Sequence, residues 1–179
     1  MAADALLESQ WVREHIRAIE NYPEAGVTFR DITPLLGDAA AFGRAVDDLV
    51  TRFHDVEVDR VVGIESRGFI LAAPVAYRLR AGFVPVRKAG KLPWAVAREE
   101  YELEYGRDKL EIHRDAIHPD EKILIVDDVL ATGGTAAATG RLVDTLGGDI
   151  VGYGFLIEID GLGGRARFEG DRVESLATY

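Results

Sequence analysis

The feature that most constrains this chain is residues 122–135, where an apolar run, an acidic pair and a glycine turn follow one another. Ile123 to Val126 are four consecutive branched apolar residues, and such a run predicts a strand buried on both faces of a parallel sheet. Asp127 and Asp128 follow at once, where that strand is expected to leave the core. Residues 131–135 (ATGGT) then predict a turn of small residues, and the alanine-rich stretch 136–146 predicts a helix.

This order of elements indicates a binding site for a phosphorylated sugar. Backbone N–H groups at the turn and at the helix start would face a phosphate, and the helix dipole favours an anion there. Small residues let the main chain approach closely, while Thr132 and Thr135 can donate hydroxyl groups. Because carboxylates repel phosphate, Asp127 and Asp128 predict a different partner, either ribose hydroxyls or a metal.

Other glycine-containing sites fit this segment less well. A nucleotide P-loop requires Gly-Lys-Ser or Gly-Lys-Thr after its spacer, and residues 131–135 contain no lysine. A dinucleotide-binding turn requires G-x-G-x-x-G directly after the strand, which is also absent. A generic turn between strand and helix rarely carries two adjacent aspartates as well.

Composition limits the class of protein. A chain of 179 residues predicts one domain with a substantial core, and 47% apolar and 29% charged residues are ordinary for a globular protein. No apolar run approaches the roughly 20 residues that span a membrane, and the first residues lack the basic start and apolar core of a signal peptide. The absence of cysteine excludes disulfides, thiolate zinc sites and cysteine nucleophiles. We therefore expect a cytoplasmic protein.

The charge balance excludes some partners and singles out certain cations. The formal net charge of −10 argues against nucleic acid or anionic membrane as a partner. An acidic protein that binds an anionic ligand must concentrate positive charge locally. The four histidines have no metal-ligand spacing. The cations that could gather at such a site are Arg67, Arg87, Lys88 and Lys91.

Alternating patterns along the chain predict an α/β fold with a mainly parallel central sheet and flanking helices. Helices are predicted at 4–21, 39–54, 69–80 and 136–146, and strands at 60–64, 83–86, 123–126 and 150–159. Residues 22–36 predict a structured loop, and the polar stretch 89–118 predicts a hairpin around 101–113. Three polar segments, 65–68, 87–88 and 127–128, each follow a predicted strand. Parallel strands would therefore bring all three to one edge of the sheet.

Residues 126–135 (VDDVLATGGT) resemble the phosphoribosyl-pyrophosphate (PRPP) signature of the type I phosphoribosyltransferases. Four further segments match in order: 22–34 (YPEAGVTFRDITP), 63–69 (GIESRGF), 87–93 (RKAGKLP) and 103–106 (LEYG). Together they narrow the resemblance to the adenine-using members, along nearly the whole chain. The resemblance implies the type I phosphoribosyltransferase fold in a single domain, 1–179, with an N-terminal hood at about 1–36 and a flexible catalytic loop at about 94–107. It also implies a homodimer.

The activity implied by the resemblance is transfer of the 5-phosphoribosyl group from PRPP to adenine, giving AMP and pyrophosphate in purine salvage. The implied mechanism is displacement at the anomeric carbon through an oxocarbenium-like state, with Mg²⁺ carried by PRPP. No side chain would bind the metal directly. Asp127 and Asp128 would contact the ribose hydroxyls and the hydrated magnesium region.

The resemblance also assigns roles to individual residues. Glu104, with Asp127 and Asp128, would be catalytic, Glu104 as the acid or base for the purine imidazole. The PRPP and AMP phosphate and ribose would contact Asp127, Asp128, Ala131, Thr132, Gly133, Gly134 and Thr135. Pyrophosphate would contact Ser66, Arg67, Arg87, Lys88, Lys91 and Tyr105. Adenine would contact Val27, Phe29, Arg30 and Val129.

Several of these residues also have purely structural interpretations. Glu104 ends an acidic run that could be a solvated face, Phe29 could plug the core under the hood, and Arg30 could form a salt bridge with Asp31. Two other functions stay open. One is a type I transferase for xanthine, guanine or orotate, against which the hood segment 22–34 argues. The other is a PRPP-sensing regulator without turnover, although the acidic N-terminal segment offers no basic recognition surface.

Overall fold

A computed structural model describes residues 9–102 and 107–179, and it places nine strands and five helices in them. The strands are β1 (Arg17–Glu20), β2 (Thr28–Asp31), β3 (Arg60–Ile64), β4 (Gly82–Lys88), β5 (Val96–Glu102), β6 (Arg107–His113), β7 (Lys122–Leu130), β8 (Asp149–Glu158) and β9 (Val173–Thr178). The helices are α1 (residues 9–14), α2 (Thr33–Gly37), α3 (Ala39–Arg52), α4 (Gly68–Leu79) and α5 (Gly134–Leu146). Two short 3-10 helices, Asp160–Leu162 and Gly164–Phe168, lie between β8 and β9.

Seven strands form one sheet in the order β5-β6-β4-β3-β7-β8-β9. The five strands from β4 to β9 in that order are parallel, whereas β5 and β6 form an antiparallel hairpin that joins the edge of β4. The predicted α/β fold with a mainly parallel sheet is therefore confirmed. Strands β1 and β2 pair separately as a two-stranded ribbon.

Strand β7 is buried on both faces, as its apolar run predicts. Ile123 and Ile125 pack in one core cluster with Leu142 of α5, whereas Leu124 and Val126 pack in the other with residues of α3 and α4. All four side chains of this run are fully buried. Because alternate residues of a strand point to opposite faces, one short run supplies apolar surface to both layers of helices.

The N-terminal helix prediction is wrong beyond residue 14. The helix predicted at 4–21 is helical at 9–14 and then becomes β1, which pairs with β2 in the register Arg17↔Asp31 to Glu20↔Thr28. Pairing with a strand further along the chain thus overrides the local apolar periodicity. The stretch 22–36, predicted as a loop, contains β2 and the start of α2.

The end of β7 and the extent of the 94–107 loop also differ from the prediction. Strand β7 continues to Leu130, because β8 stays paired beside it in the register Asp127↔Phe155 and Val129↔Ile157. The two aspartates therefore lie within the strand and not after it. Of the loop predicted at 94–107, residues 96–102 form β5, while 103–106 lie outside the described residues. Helices α3, α4 and α5 and the hairpin are confirmed.

No helix in the described part of the chain has both the length and the apolar character needed to cross a membrane.

Candidate functional site

A cleft of about 400 Å³ opens at the carboxyl edge of the parallel sheet, beyond β3, β4 and β7. The polar segments 65–68, 87–88 and 127–128 all contribute lining residues, so the predicted convergence at one edge is confirmed, although 87–88 and 127–128 lie at the ends of β4 and β7 and not after them. This is the edge at which open α/β sheets bind ligands. The residues that line the cleft are Glu65, Ser66, Arg67, Lys88, Tyr101, Asp108, Leu110, Asp127, Asp128, Val129 and Thr135.

The acidic pair forms one wall of this cleft. Asp128 is 6% exposed, and its Oδ2 lies 2.5 Å from Nε of Arg67. That contact is an ion pair without hydrogen-bond alignment, so the buried Oδ2 keeps an unused acceptor position. The backbone N–H of Asp128 donates to Oδ1 of Asp127 at 3.0 Å. A Cβ at residue 68 would stand 2.5 Å from the same Oδ1, so Gly68 permits α4 to begin this close to the pair.

Asp127 is the electrostatically strained member of the pair. Enclosure by the surrounding chain, and then the negative charge of Asp128, raise the pKa of the Asp127 carboxyl well above its ordinary value. The residue nevertheless remains partly accessible from the cleft. A ligand that donates hydrogen bonds here, or that brings positive charge, would relieve the repulsion between the two carboxyl groups.

Residues 131–135 line a smaller cavity of about 70 Å³ that adjoins the cleft. Both cavities share Asp127, Val129 and Thr135. Gly133 has a φ of +75°, a conformation that favours glycine, and α5 begins at the next residue. The first N–H groups of a 13-residue helix therefore lie at this cavity, which is a favourable place for an anion.

The predicted cations are gathered near the cleft, and each is paired with a carboxylate. Nζ of Lys88 lies 2.5 Å from Oδ2 of Asp108, and Nε of Arg87 lies 3.4 Å from Oε2 of Glu65. Lys91 also pairs with Glu65. Lys88 lines the cleft itself, whereas Arg87 and Lys91 reach it only through Glu65.

These pairs shift the pKa values of the acids. Lys88 holds the pKa of Asp108 below its ordinary value, and Asp108 raises the pKa of Lys88 in turn. Burial disfavours the charge of Glu65, but hydrogen bonds from Lys91, from the Lys88 backbone and from Arg87 outweigh it and lower the pKa. Both acids are therefore charged near neutral pH. The cations are held in place by protein groups that a pyrophosphate would have to compete with.

Sequence reasoning missed four polar residues at this site. Glu65 begins the segment that follows β3, so its position at a strand end was a usable signal. Asp108 and Tyr101 lie on the hairpin, where no motif pointed to them. Glu111 is 1% exposed and accepts hydrogen bonds from the Gly90 backbone at 2.8 Å and from Arg98, which fixes the loop that carries Lys91.

The hood residues are divided between two places. The ring of Phe29 lies 5.4 Å from Cζ of Arg67, at the cleft, and Val27 is exposed nearby in the chain. Arg30 instead stacks on the ring of Tyr179 with a distance of 4.2 Å from Cζ, so it is not brought to the cleft. Its alternative partner, Asp31, contacts Thr33 and lies 3.7 Å from Arg17.

Two predicted site residues, Glu104 and Tyr105, lie outside the described residues. Strands β5 and β6 flank them, and both strands contribute to the cleft through Tyr101 and Asp108. The hydroxyl of Thr135 lies 3.4 Å from that of Tyr101, which joins the hairpin to the start of α5.

Comparison with known proteins identifies the family. Residues 36–170 match the model of the phosphoribosyl transferase domain. An adenine phosphoribosyltransferase of Acidothermus cellulolyticus is 54% identical over 92% of this chain and 93% of its own length. The crystal structure of the enzyme of that name from Thermoanaerobacter pseudethanolicus superposes with a TM-score of 0.93 at 45% identity, covering 96% of this chain and 99% of that one. The corresponding structure from Saccharomyces cerevisiae, in complex with adenine and an imino-altritol bisphosphate, superposes with a TM-score of 0.89 at 39% identity. That superposition covers 96% of this chain and 99% of the yeast chain. The chain thus belongs to the phosphoribosyltransferase family and, within it, to the adenine phosphoribosyltransferases.

Proposed function

We propose that the cleft at the carboxyl edge is the active site for transfer of the 5-phosphoribosyl group from PRPP to adenine. The products are AMP and pyrophosphate. The observation that carries the proposal is the continuity of 127–135, which places the acidic pair and the helix-start turn in two cavities that share residues. One ligand with a diol and a phosphate would fill both.

The smaller cavity would hold the 5-phosphate. Backbone N–H groups at the start of α5 and the hydroxyls of Thr132 and Thr135 are the donors in this cavity, and Asp127 lines it on the side shared with the cleft. The dipole of α5 adds a favourable potential for an anion. Recognition here would rest on main-chain geometry and would need no side-chain charge in contact with the phosphate.

Asp127 and Asp128 would accept hydrogen bonds from the ribose hydroxyls. Carboxylates are acceptors, so a vicinal diol matches the adjacent pair. As the bond to pyrophosphate breaks, positive charge develops on the ribose ring, and nearby negative charge stabilises that state more than the ground state. The raised pKa of Asp127 favours its protonated form in the free chain, and hydrogen bonds from the ribose hydroxyls would shift it back towards the carboxylate.

Pyrophosphate would lie between Ser66, Arg67 and Lys88 on the opposite side of the cleft. Arg67 offers a planar guanidinium, which suits phosphate oxygens. Its present partner, Asp128, would be released to the ribose when pyrophosphate takes its place. Arg87 and Lys91 would add charge from behind Glu65.

Magnesium would enter this site as an ion carried by the substrate. In residues 9–102 and 107–179 no cluster of three or more metal-binding side chains occurs, while Asp128 presents a buried oxygen with an unused acceptor position. Asp127 and Asp128 would accept hydrogen bonds from water on the ion. Bound with PRPP, magnesium would neutralise charge that builds up on the departing pyrophosphate.

Adenine would enter beside the hood. Phe29 offers a stacking surface close to Arg67, and Val129 lines the cleft on the other side. Val27 would present its backbone to the base. Glu104 as the acid or base for the purine and Tyr105 as a pyrophosphate donor stay predictions, as does closure of the loop that contains them.

A homodimer is the expected assembly, and an exposed apolar surface supports it. Ile70 and Tyr77 lie two turns apart on one face of α4 and are 43% and 83% exposed. Phe83 is 38% exposed and packs edge-to-face against Phe69 of the same helix. Exposed apolar groups that adjoin one another mark interaction surfaces. A cytoplasmic location and the absence of nucleic-acid or membrane partners stay predictions from composition and charge.

Release of pyrophosphate tests the function directly. The purified chain, incubated with PRPP and magnesium, should release pyrophosphate rapidly with adenine and at least about a hundredfold more slowly with guanine, xanthine or orotate. Removal of magnesium by a chelator should abolish the reaction. Equal rates with another base would identify a different transferase, and PRPP binding without turnover on any base would indicate a sensor.

A further inference from the structure

The segment that follows β8, residues 160–168, lies directly behind the phosphate turn 131–135. A Cβ at Gly133 would stand 2.7 Å from the carbonyl oxygen of Gly164, and a Cβ at Gly164 would collide with the carbonyl oxygen of Ala131. The two backbones are thus in contact, and glycine on both sides permits it. None of the PRPP-related motifs includes this glycine-rich segment.

Arg167 makes a specific contact across this junction. Its Nε donates to the carbonyl oxygen of Thr132 at 2.7 Å. The peptide that joins Thr132 to Gly133 is trans, so its N–H points away from its C=O. By holding this carbonyl, Arg167 also fixes the direction of the Gly133 N–H, and both residues of the peptide line the cavity of the turn.

The charge of Arg167 strengthens the same peptide. A guanidinium that donates to a carbonyl polarises the peptide group, and a polarised peptide has a stronger N–H donor. The side chain is exposed and contributes little to the core. Its effect on the turn is therefore separable from an effect on folding.

An ion pair between a buried carboxylate and an exposed arginine fixes the segment that carries Arg167. Glu158, 3% exposed at the end of β8, accepts hydrogen bonds from Arg165 at 2.9 and 2.6 Å and from Ser175 of β9 at 2.7 Å. Arg165 and Ser175 hold the pKa of Glu158 below its ordinary value. Phe168 is also buried, with its ring 4.5 Å from that of Tyr153. The segment is thus anchored to the sheet on both sides of Arg167.

We infer that Arg167 is a positioning residue for the 5-phosphate. It orients and polarises the Thr132–Gly133 peptide from behind, and the Glu158–Arg165 pair holds it in position. The inference rests on the proposed function, since it assumes that the turn 131–135 binds the phosphate of PRPP and AMP. It assigns no contact between Arg167 and the ligand.

This role can be tested by comparing the binding of two products, AMP, which carries the 5-phosphate, and pyrophosphate, which does not. Arg167→Met removes the donor and the charge at similar length, Arg167→Lys restores a cationic donor, and Arg114→Met is the matched control. Arg114 is likewise exposed and donates its Nε to a backbone carbonyl, that of Val96, at 3.0 Å. Calorimetry would measure the Kd of AMP and of magnesium pyrophosphate for each variant, together with the thermal midpoint.

Arg167→Met should raise the Kd of AMP about tenfold and leave the Kd of magnesium pyrophosphate within about twofold of the value for the parent chain. Arg167→Lys should recover most of the loss, and Arg114→Met should change neither ligand. If Arg167→Met raised the Kd of both ligands equally, or left the Kd of AMP unchanged while the parent chain turns over adenine, the inference would be overturned and the proposed function would stand. A parent chain that neither binds AMP nor turns over adenine would overturn the proposed function and this inference with it.

Discussion

The two walls of the cleft are built in opposite ways. One wall is the continuous stretch 127–135, in which a strand end, a turn and a helix start place carboxylates and backbone N–H groups. The other wall is assembled from three separate places, 65–67, 87–91 and 108, and it carries paired ionic side chains. In the proposed function, the first wall would recognise its ligand through main-chain geometry and the second through charged side chains.

This difference predicts different responses to substitution. A site made from a strand and a helix start has little freedom to adapt, so loss of one group leaves its partner unmet. In the assembled wall the lysines are about half exposed, so solvent and salt screen their charge, and a neighbouring cation can compensate for the loss of one. The continuous wall should therefore show large, specific effects, and the assembled wall should show small, salt-dependent ones.

The largest effect is expected from Asp127→Asn combined with Asp128→Asn. The amides keep the shape of the carboxyl groups but remove the charge that stabilises the developing ribose cation. The rate of adenine-dependent pyrophosphate release should fall by about a thousandfold or more. The adjacent acidic pair Asp47 and Asp48 on α3, exposed and paired with Arg78 and Arg44, provides the matched control.

The control variant, Asp47→Asn with Asp48→Asn, should retain the parent rate. Circular dichroism should show that both double variants stay folded. If the variant with Asp127→Asn and Asp128→Asn turned over normally, the acidic pair would have no part in the mechanism. The expectation of large effects on the continuous wall would then be wrong.

Lys91→Met, on the assembled wall, should have a much smaller effect. Lys91 pairs with Glu65 at the rim, so its loss should raise the inhibition constant of pyrophosphate about fivefold, and the difference should shrink in high salt. Lys122→Met is the control, because Lys122 is about as exposed as Lys91 and pairs with Asp149 at the start of β7 and β8, away from the cleft. A hundredfold loss, or one that salt does not change, would show that this wall is as rigid as the other.

How far the sequence predicts each wall follows from the same difference. Residues 123–135 are contiguous, and their order alone indicates a strand, an acidic pair and an anion site. Only boundaries were wrong: pairing with β8 carries β7 on to Leu130, and α5 begins at Gly134, two residues earlier than predicted. The carboxylate that each cation would meet could not be predicted. Lys88 meets Asp108 where the hairpin joins the edge of β4, and Arg87 meets Glu65 where β4 pairs with β3.

The hood and the supporting segment show the second limit of sequence reasoning. The apolar spacing of residues 7–19 indicated one helix, yet pairing with β2 turns 17–20 into a strand. The stretch 160–168 carries no motif, and its contact with the phosphate turn depends on the close packing of Gly133 and Gly164. Contacts between segments that lie far apart in the sequence decide both cases.

The smallest expected effect concerns stability and not rate. The pKa of Asp127 is raised in the folded chain by enclosure and by Asp128, so the folded state binds its proton more tightly than the unfolded state. At a pH below the pKa of Asp127 in the unfolded chain, near 4, the carboxyl group is protonated in both states and does not lower the free energy of unfolding. As pH rises through the folded pKa, the carboxylate must ionise inside the cleft and stability falls. Asp127→Asn should therefore raise Tm by a few °C at pH 7, as about 1 kcal/mol does in a chain of this size, and the gain should vanish near pH 4.

Glu121→Gln gives the opposite sign and so calibrates the measurement. Arg60 holds the pKa of Glu121 below its ordinary value, through contacts of 2.9 to 3.2 Å at the far end of the sheet. Its contribution to stability is complete above the unfolded pKa and is lost as pH falls through the folded one. Thermal melts from pH 4 to pH 8 should thus show Asp127→Asn above the parent and Glu121→Gln below it, with both differences largest at neutral pH. If Asp127→Asn instead lowers Tm at pH 7, the charged carboxylate stabilises the fold. The repulsion between Asp127 and Asp128 would then not be a cost that the folded chain carries in the absence of ligand.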